Sequence, residues 1–357
     1  MEHEDLHRLT PQVWNRYFLD DAACAFGAPY TLCLKKGNSN DLIVWLDGGG
    51  MAWDEESAGM PMLPHVFEAF RPGLYKVEVE NLPDDSFFRP VATSGLRSAG
   101  EENPFRDWSI AFISYGTGDF HTGTGDYEFT DFRGERCVAH MRGFDNLHAS
   151  IKKILEAFPT ADRLLICGES AGAFGVSAVA GEIIDAYPDC QNITLFSDSA
   201  LATYGDWRRV ATEMWHAPDH ITGAIKSEYI VSDWFAALHE KYGDRVKYLF
   251  SCGSMDHVLA AYQNYMAGRY VPANEEELEY FRQCLKKQVA DLKAITPQFG
   301  VYIHEFMKGQ VGGPGVMHCW LGCFLLTQGE VDGIVPVRWL MDAVEGRVYD
   351  VGTYYLA

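Results

Sequence analysis

The stretch Arg163-Leu-Leu-Ile-Cys-Gly-Glu-Ser-Ala-Gly-Ala-Phe-Gly175 decides the fold of this chain. Its apolar run, bounded by a charge and by glycines, predicts a buried strand. The run leads directly into Gly-x-Ser-x-Gly, and the Ala- and Val-rich sequence up to about Tyr187 suits a helix packed on a sheet. A sharp turn between strand and helix exposes a serine hydroxyl beside free N–H groups, which indicates Ser170 as a nucleophile. The alternative is a glycine-rich turn in which Ser170 only caps the helix.

The composition narrows the class of protein. Of 357 residues, 47% are hydrophobic and 22% charged, so residues 1–357 can form one large domain with a substantial core. The formal net charge of −21 argues against nucleic acid or an anionic membrane as a partner, and slightly against polyanionic substrates. The sequence has no apolar stretch of transmembrane length and no signal-peptide pattern at Met1. We therefore expect a cytoplasmic protein, or an exported one whose leader has been removed.

The nine cysteines are scattered and form no C-x-x-C pair. This spacing favours buried, reduced thiols over a zinc site, although an exported protein would allow one or two disulfides.

Apolar runs and helical periods alternate along the chain. Strands are predicted at 30–34, 41–47, 108–115, 163–169, 192–199, 245–251 and 301–307. Helices are predicted at 143–158, 171–187, 258–266, 274–295 and 337–344. This rhythm predicts an α/β fold with a doubly wound, mostly parallel sheet and helices on both faces. Two segments interrupt it: 51–107, which we expect to wall the pocket, and the aromatic-rich 204–235, which suggests a lid or an oligomer contact.

Consecutive glycines follow the strand at 41–47. Because Gly48-Gly-Gly50 carries no side chains, its backbone N–H groups are open to a ligand. Together with the N–H of the residue after the nucleophile, such a loop supplies an oxyanion hole, which we assign to Gly49 and Ala171. By itself the triplet would be read as a flexible turn. The other glycine-rich run, 116–126, lacks the Lys-Ser/Thr of a nucleotide-binding loop, so we expect no nucleotide site there. Its acidic residues do not have the spacing of an EF-hand calcium loop either.

A serine nucleophile needs an imidazole base and a carboxylate that orients it. The carboxyl ends of parallel strands gather such groups, and after Ser170 they carry Asp198 and Asp256 as acids. For the base we favour His318, just beyond a Gly/Pro-rich loop, over His304, which lies within a strand. The order Ser170, Asp256, His318 is that of serine hydrolases, with Asp198 as the reserve acid. His257 directly adjoins Asp256, and adjacent side chains rarely aim at one point.

Several of these residues also carry a family resemblance. The chain resembles the pectin acetylesterase family, which includes the Notum carboxylesterase, from about residue 30 to 325. The motifs are Leu46-Asp-Gly-Gly, Asn103-Pro-Phe-Arg-Asp-Trp108, Tyr115-Gly-Thr-Gly-Asp119, Gly168-Glu-Ser-Ala-Gly172 and Asp198-Ser.

The resemblance implies an α/β-hydrolase-like fold and metal-free hydrolysis of an O-acyl ester. Carried over by motif, the nucleophile, acid and base would be Ser170, Asp256 and His318. Gly49 and Ala171 would hold the oxyanion. We further assign Gly50 and Asp119 to the substrate-binding surface.

The chain departs from the family at two places. Gly50 stands where members have a tryptophan, and Tyr115-Gly116 stands where they have Tyr-Cys, so that a family disulfide is lost. These departures leave the size of the acyl pocket and an exported location open.

The sequence thus predicts a serine esterase without cofactor. We expect it to hydrolyse O-acetyl esters, on a carbohydrate such as pectin or related oligosaccharides. Esterases for longer acyl or feruloyl groups, peptidases, and a non-catalytic binding protein of the same fold remain as alternatives.

Overall fold

A large, mostly parallel sheet runs through the protein. The computed structural model describes residues 9–62, 72–79, 94–311 and 313–357, and within these ranges the sheet has eight strands. Its strands are β1 (Trp14–Ala23), β2 (Pro29–Lys35), β3 (Leu42–Leu46), β6 (Ser109–Ile113), β9 (Arg163–Glu169), β10 (Asn192–Asp198), β11 (Val246–Gly253) and β12 (Gly300–His304). Two short pairs lie outside it, β4 (Pro61–Met62) with β5 (Tyr75–Lys76), and β7 (Gly125–Thr130) with β8 (Arg136–Met141).

The order of the strands places the serine strand near the centre of the sheet. The order is β1-β2-β6-β3-β9-β10-β11-β12, in which β2 is antiparallel to both neighbours and every pair from β6 to β12 is parallel. In the ladders, Gly168 of β9 pairs with Leu46, and Glu169 pairs with Asp198. The loops after β3, β9, β10 and β11 therefore leave the same edge of the sheet, where parallel sheets place their ligand chemistry.

Helices cover both faces of the sheet. They are α1 (Glu55–Ala58), α2 (Gly143–Ala157), α3 (Ala171–Ala186), α4 (Trp207–Arg209), α5 (Asp219–Ala224), α6 (Ile230–Tyr242), α7 (His257–Met266), α8 (Glu275–Ile295), α9 (Leu325–Gln328) and α10 (Pro336–Val344). Side chains alternate along β9, so that Leu164 and Ile166 join the core on one face while Leu165 and Cys167 join the core on the other. The predicted α/β architecture, with a mostly parallel sheet between helices, is confirmed.

The aromatic-rich segment 204–235 is packed into the core. Trp207, Trp215 and Trp234 are almost completely buried, and the indole N–H of Trp215 donates to the carbonyl of Ala52 at 2.9 Å. Helix α6, which begins within this segment, lies against α3 and α8. Buried anchors of this size tie the segment to the body of the domain, which argues against a lid that swings freely.

Two expectations fall partly outside the described residues. Of the segment 51–107, the ranges 63–71 and 80–93 are not described, and neither is the start of the chain up to residue 8. Within the described ranges, no helix is both long and apolar enough to span a membrane. All nine cysteines lie in these ranges as free thiols, and seven of them are buried.

Candidate active site

Ser170 occupies a strained turn between β9 and α3. Its backbone has φ 54° and ψ −124°, a conformation in which a residue with a side chain is rare. The N–H of Ser170 donates to the carbonyl of Asp198 at 2.9 Å, and its half-buried hydroxyl makes no capping hydrogen bond. The turn packs so closely that a Cβ on Gly172 would lie 2.0 Å from the carbonyl oxygen of Leu46. The hydroxyl is thus held at the sheet edge without being used as a helix cap.

Asp256 and His318 form a buried, hydrogen-bonded pair. Nδ1 of His318 lies 2.7 Å from Oδ2 of Asp256, whose side chain is fully buried. The other carboxylate oxygen, Oδ1, accepts the N–H groups of Val258 and Leu259 at 3.0 Å and so caps α7. An ionised Asp256 keeps the proton on Nδ1, which leaves Nε2 as the basic nitrogen.

A short bridge between two loops sets up this pair. The loop after β11 and the loop after β12 meet where Val316 donates its N–H to the carbonyl of Met255 at 3.0 Å. His257 turns its ring away from the pair, with Nδ1 2.9 Å from the carbonyl of Val316. Backbone pairing, rather than side-chain contacts alone, therefore brings residue 318 beside residue 256.

The pKa of His318 is the net result of opposing influences. Burial alone would lower the pKa, but the carboxylate of Asp256 outweighs burial and raises the pKa above its usual value. Asp198 and Glu169 act in the same direction from further away. A base with a raised pKa binds a proton more strongly in the transition state of a proton transfer.

Asp198 links the serine turn to the segment after His318. Cys319, the residue after His318, directs its Sγ to the carbonyl of Asp198 at 3.6 Å, the same oxygen that accepts the N–H of Ser170. Nε2 of His318 is buried and has no hydrogen-bond partner among the described residues, so it makes no hydrogen bond to the hydroxyl of Ser170.

Asp198 has a different task from Asp256. Its Oδ2 accepts the backbone N–H groups of Trp320 and Leu321 at 2.7 and 2.8 Å, and its Oδ1 accepts the hydroxyl of Ser251 at 2.5 Å. These bonds fasten the segment that follows His318 to the end of β10. Asp198, the reserve acid of the sequence analysis, thus anchors the segment 318–322, the histidine loop, and makes no hydrogen bond to the imidazole of His318.

The glycine loop lies directly against the serine turn. A Cβ on Gly48 would be 2.9 Å from Cβ of Ser170 and 3.3 Å from the backbone nitrogen of Ala171. The carbonyl of Gly49 accepts the N–H of Lys76 at 2.8 Å, which fixes the peptide beside the turn. The loop predicted to complete an oxyanion hole therefore lies against the turn that carries Ala171.

The two residues assigned to substrate binding differ in exposure. Gly50 is half-buried with φ 78°, and a Cβ there would lie 1.9 Å from the carbonyl oxygen of Leu74, so no larger residue fits without moving the loop. Asp119 is completely buried, and its carboxylate accepts the N–H groups of His121 and Gly143. Burial raises the pKa of Asp119. Direct contact of Asp119 with substrate would require this network to break, so its position favours shaping the loop.

His304 lies in the core, where Asp256 and His318 are among the groups that act on it. The ring is fully buried and stacks on Phe306 with centroids 4.5 Å apart, and Nδ1 accepts the N–H of Phe306 at 3.3 Å. Burial lowers the pKa of His304 to about 3. A histidine that stays neutral in this way suits a structural role.

Sequence reasoning missed Glu169 and Arg97. Glu169 precedes the serine, and one of its carboxylate oxygens, one of Asp198 and Sγ of Cys319 lie within 4.8 Å of one another, close enough for a metal ion. However, the Asp198 oxygens already accept hydrogen bonds, and burial raises the pKa of the Cys319 thiol well above its usual value. We therefore assign no metal to this group. For Glu169, the signal available in the sequence was an ionisable residue at the end of a buried strand.

A cavity of about 680 Å³ lies elsewhere, between β4 and the β7–β8 hairpin. Its lining is largely apolar and includes Met60, Val77, Phe129 and Phe132. Neither Ser170 nor His318 contributes to it, so its size has no bearing on the candidate triad.

Comparison with known proteins adds no relative. No protein-family model matches the chain, and no curated protein matches it. The assignment of a function therefore rests on the motifs and on the geometry above.

Proposed function

We propose that the protein is a serine esterase that hydrolyses O-acyl esters, O-acetyl esters first, through an acyl-enzyme on Ser170. The observation that carries the proposal is the Asp256–His318 pair, in which the carboxylate holds Nδ1 and Nε2 stays buried without a partner. The next residue, Cys319, contacts the same carbonyl oxygen of Asp198 that accepts the N–H of Ser170. A buried nitrogen without a partner costs free energy. Nε2 of His304 is buried without a partner as well, and what sets His318 apart is the carboxylate of Asp256 on its Nδ1.

The arrangement of the sheet supports an α/β-hydrolase-like fold for this activity. In that fold the serine sits on a turn between strand and helix, and the second oxyanion donor comes from the loop after the third strand. Here Ser170 follows β9, and the glycines follow β3, its neighbour in the sheet. The order of nucleophile, acid and histidine along the chain agrees as well.

The chemistry that follows is acyl transfer. Nε2 of His318 takes the proton of Ser170 as its oxygen attacks the ester carbonyl, and the N–H groups of Gly49 and Ala171 receive the developing negative charge. Asp256 stabilises the imidazolium. The imidazolium then protonates the leaving alcohol, and a water molecule, activated by the same nitrogen, releases the acid from Ser170.

The replacement Ser170→Ala tests the proposal most directly. We expect it to abolish hydrolysis of p-nitrophenyl acetate above the solution rate, because no nucleophile remains, while the circular dichroism spectrum and thermal unfolding stay close to those of the parent. Labelling by a fluorophosphonate should disappear in the same variant. Turnover that survives in Ser170→Ala would eliminate the proposal, and a parent chain without labelling or turnover would identify a binding protein.

The alcohol and the acyl group are separate questions. We expect acetate release from an acetylated carbohydrate, pectin among them, and a screen over acetylated pectin, xylan, mannan and small acetyl sugars measures this. A series of p-nitrophenyl esters from acetate to octanoate, together with a feruloyl ester, distinguishes an acetylesterase from the longer-chain alternatives. Ser170→Ala serves as the control for each substrate.

A further inference from the structure

Glu169 is a carboxylate at the active site to which the proposed mechanism gives no task. As the last residue of β9, it follows Cys167 by two positions and so points to the sheet face opposite α3. There it meets the segment after His318, because a Cβ on Gly322 would lie 2.9 Å from its Oε2. It is half-buried, and it takes no part in the hydrogen bonds that fasten Asp198.

Two acidic groups share this space, and their surroundings differ. Asp198 accepts hydrogen bonds from two backbone N–H groups and a hydroxyl, all of which favour its ionised form. Glu169 has no hydrogen bond to another described residue, and its carboxylate oxygen lies within 4.8 Å of one of Asp198. Two carboxylates this close disfavour each other's ionisation, and the hydrogen bonds to Asp198 favour its ionised form over that of Glu169.

A buried arginine faces the same carboxyl group. Arg97 is 4% exposed, with its guanidinium stacked over the rings of Trp45 and Phe112. A Cβ on Gly322 would lie 3.2 Å from its Nη2, so Glu169 and Arg97 flank one peptide of the histidine loop. Burial raises the pKa of Glu169 to about 7, although Arg97 opposes the rise.

Several other ionisable groups surround Glu169, and they lie on the different elements packed against it. Two of them pair with each other, with Nζ of Lys76 3.2 Å from Oδ2 of Asp47. The groups that act on or lie beside Glu169 are Asp47, Lys76, Arg97, Cys167, Asp198, His318, Cys319 and Cys323. Of these, His318 is the group whose charge changes during the proposed reaction.

We propose that Glu169 is a positioning residue for His318: it lies against the segment 319–322 and, when ionised, stabilises the imidazolium, so that the site loses activity when Glu169 is protonated. The inference rests on the proposed esterase function. It predicts two ionisations on the acid side of the pH profile, one of His318 and one of Glu169, where a simple triad shows one.

The test compares Glu169→Gln with the parent chain. For the parent, the logarithm of kcat/KM for p-nitrophenyl acetate should fall below neutral pH with a slope steeper than one. For Glu169→Gln the slope should be one and the fall should begin at lower pH, with kcat/KM at pH 8 reduced on the order of tenfold, because one nearby charge is lost. Glu169→Asp should restore part of the loss. The matched control, Glu156→Gln, removes a charge from the exposed face of α2 and should leave the profile unchanged.

A titration that needs no turnover separates this inference from the proposed function. In the NMR spectrum of the parent chain, the ring signals of His318, assigned by their absence in His318→Gln, should report two ionisations, and in Glu169→Gln a single one at lower pH. A single ionisation in the parent chain overturns the inference even if Glu169→Gln does not fold. Superimposable pH profiles, or a slower variant with an unchanged profile, overturn it too. If the parent chain hydrolyses no ester, the proposed function fails, and the titration still decides the role of Glu169.

Discussion

Asp256 uses its two carboxylate oxygens for two tasks. Oδ2 holds Nδ1 of His318, and Oδ1 caps α7 through the N–H groups of Val258 and Leu259. The cap fixes the carboxylate before any substrate arrives, so its orientation does not depend on the histidine. Because the carboxylate of Asp256 is already held rigidly, the proposed proton transfer to His318 would require less reorganisation.

Replacing each acid by its amide distinguishes their roles. In Asp256→Asn the amide oxygen can keep the cap, but the NH₂ group must then face Nδ1 and forces the proton onto Nε2. We expect kcat to fall about 10⁴-fold, as when a triad histidine is held in the wrong tautomer, with little change in the unfolding temperature. Stopped assays of p-nitrophenyl acetate hydrolysis and thermal unfolding measure the two effects.

For Asp198→Asn we expect the opposite, namely a loss of stability rather than a large loss of kcat. The amide oxygen of Asn can still accept the two N–H groups of residues 320 and 321, but the NH₂ group cannot accept the hydroxyl of Ser251, and the charge that strengthens all three bonds is lost, at a cost of about 2 kcal/mol in the free energy of unfolding. Urea unfolding measures this cost. An Asp198→Asn variant of parental stability that loses more activity than Asp256→Asn would reverse the assignment of the acid.

At the scale of elements, the sequence predicts best where a strand is buried on both faces. Strands β9, β10 and β11 are apolar runs that end in glycine or in a charged residue, β3 is followed by Asp47, and the carboxyl ends of all four share one edge of the sheet. For this reason the order of strands places Asp198 and Asp256 together at that edge as candidate acids, and it does not by itself choose between them. The contact of Glu169 with the histidine loop could not be foreseen, because it depends on how the irregular segment 94–97 packs under that loop.

Strands with an exposed face were missed. The edge strand β1 is partly exposed along most of its length, and its mixture of polar and aromatic residues has no clear period. The β7–β8 hairpin follows a glycine-rich run that hides its first strand, and four of the six residues of β7 are polar or glycine. A half-exposed strand is held in place by its neighbours, and these cannot be read from a local pattern.

The loop before this hairpin packs closely on Cys24. A Cβ on Gly116 would lie 2.7 Å from Sγ and 3.2 Å from Cβ of Cys24, slightly closer than the Cβ atoms of a relaxed disulfide. We therefore expect Gly116→Cys to form a disulfide with Cys24. Closing a loop of this length should raise the free energy of unfolding by about 2–4 kcal/mol, less whatever strain remains.

Mass spectrometry after alkylation counts the remaining thiols, and urea unfolding with and without dithiothreitol gives the stabilisation. Gly116→Ser is the matched control, since it adds a side chain of similar size that cannot form the bond. Two alkylated thiols at positions 24 and 116 after refolding under oxidising conditions would show that the two loops are further apart than described here.

For the whole molecule, buried ionisable groups make stability depend on pH in opposing ways. Burial lowers the pKa of His121 to about 4 and that of His304 to about 3, so both stay neutral in the folded chain while they charge in the unfolded chain below about pH 6.5. The unfolded state then binds more protons, and stability falls as the pH falls. Glu169, with its pKa raised to about 7, acts in the opposite sense, because its protonated form is favoured in the folded chain. Burial raises the pKa of Asp119 and Asp198 as well.

Variants at these positions should change the slope of stability against pH. Between pH 7 and pH 5, each of the two histidines should lower the free energy of unfolding of the parent chain by about 2 kcal/mol. This is the part of the histidine titration that lies in this pH window. His304→Asn keeps an acceptor for the N–H of Phe306 but does not titrate, so its free energy of unfolding should fall less steeply over this range than that of the parent chain. Glu169→Gln should fall more steeply, because the opposing contribution is gone. Urea unfolding at half-unit steps of pH measures all three proteins, and equal slopes in His304→Asn and the parent chain would mean that residue 304 gains its proton without unfolding.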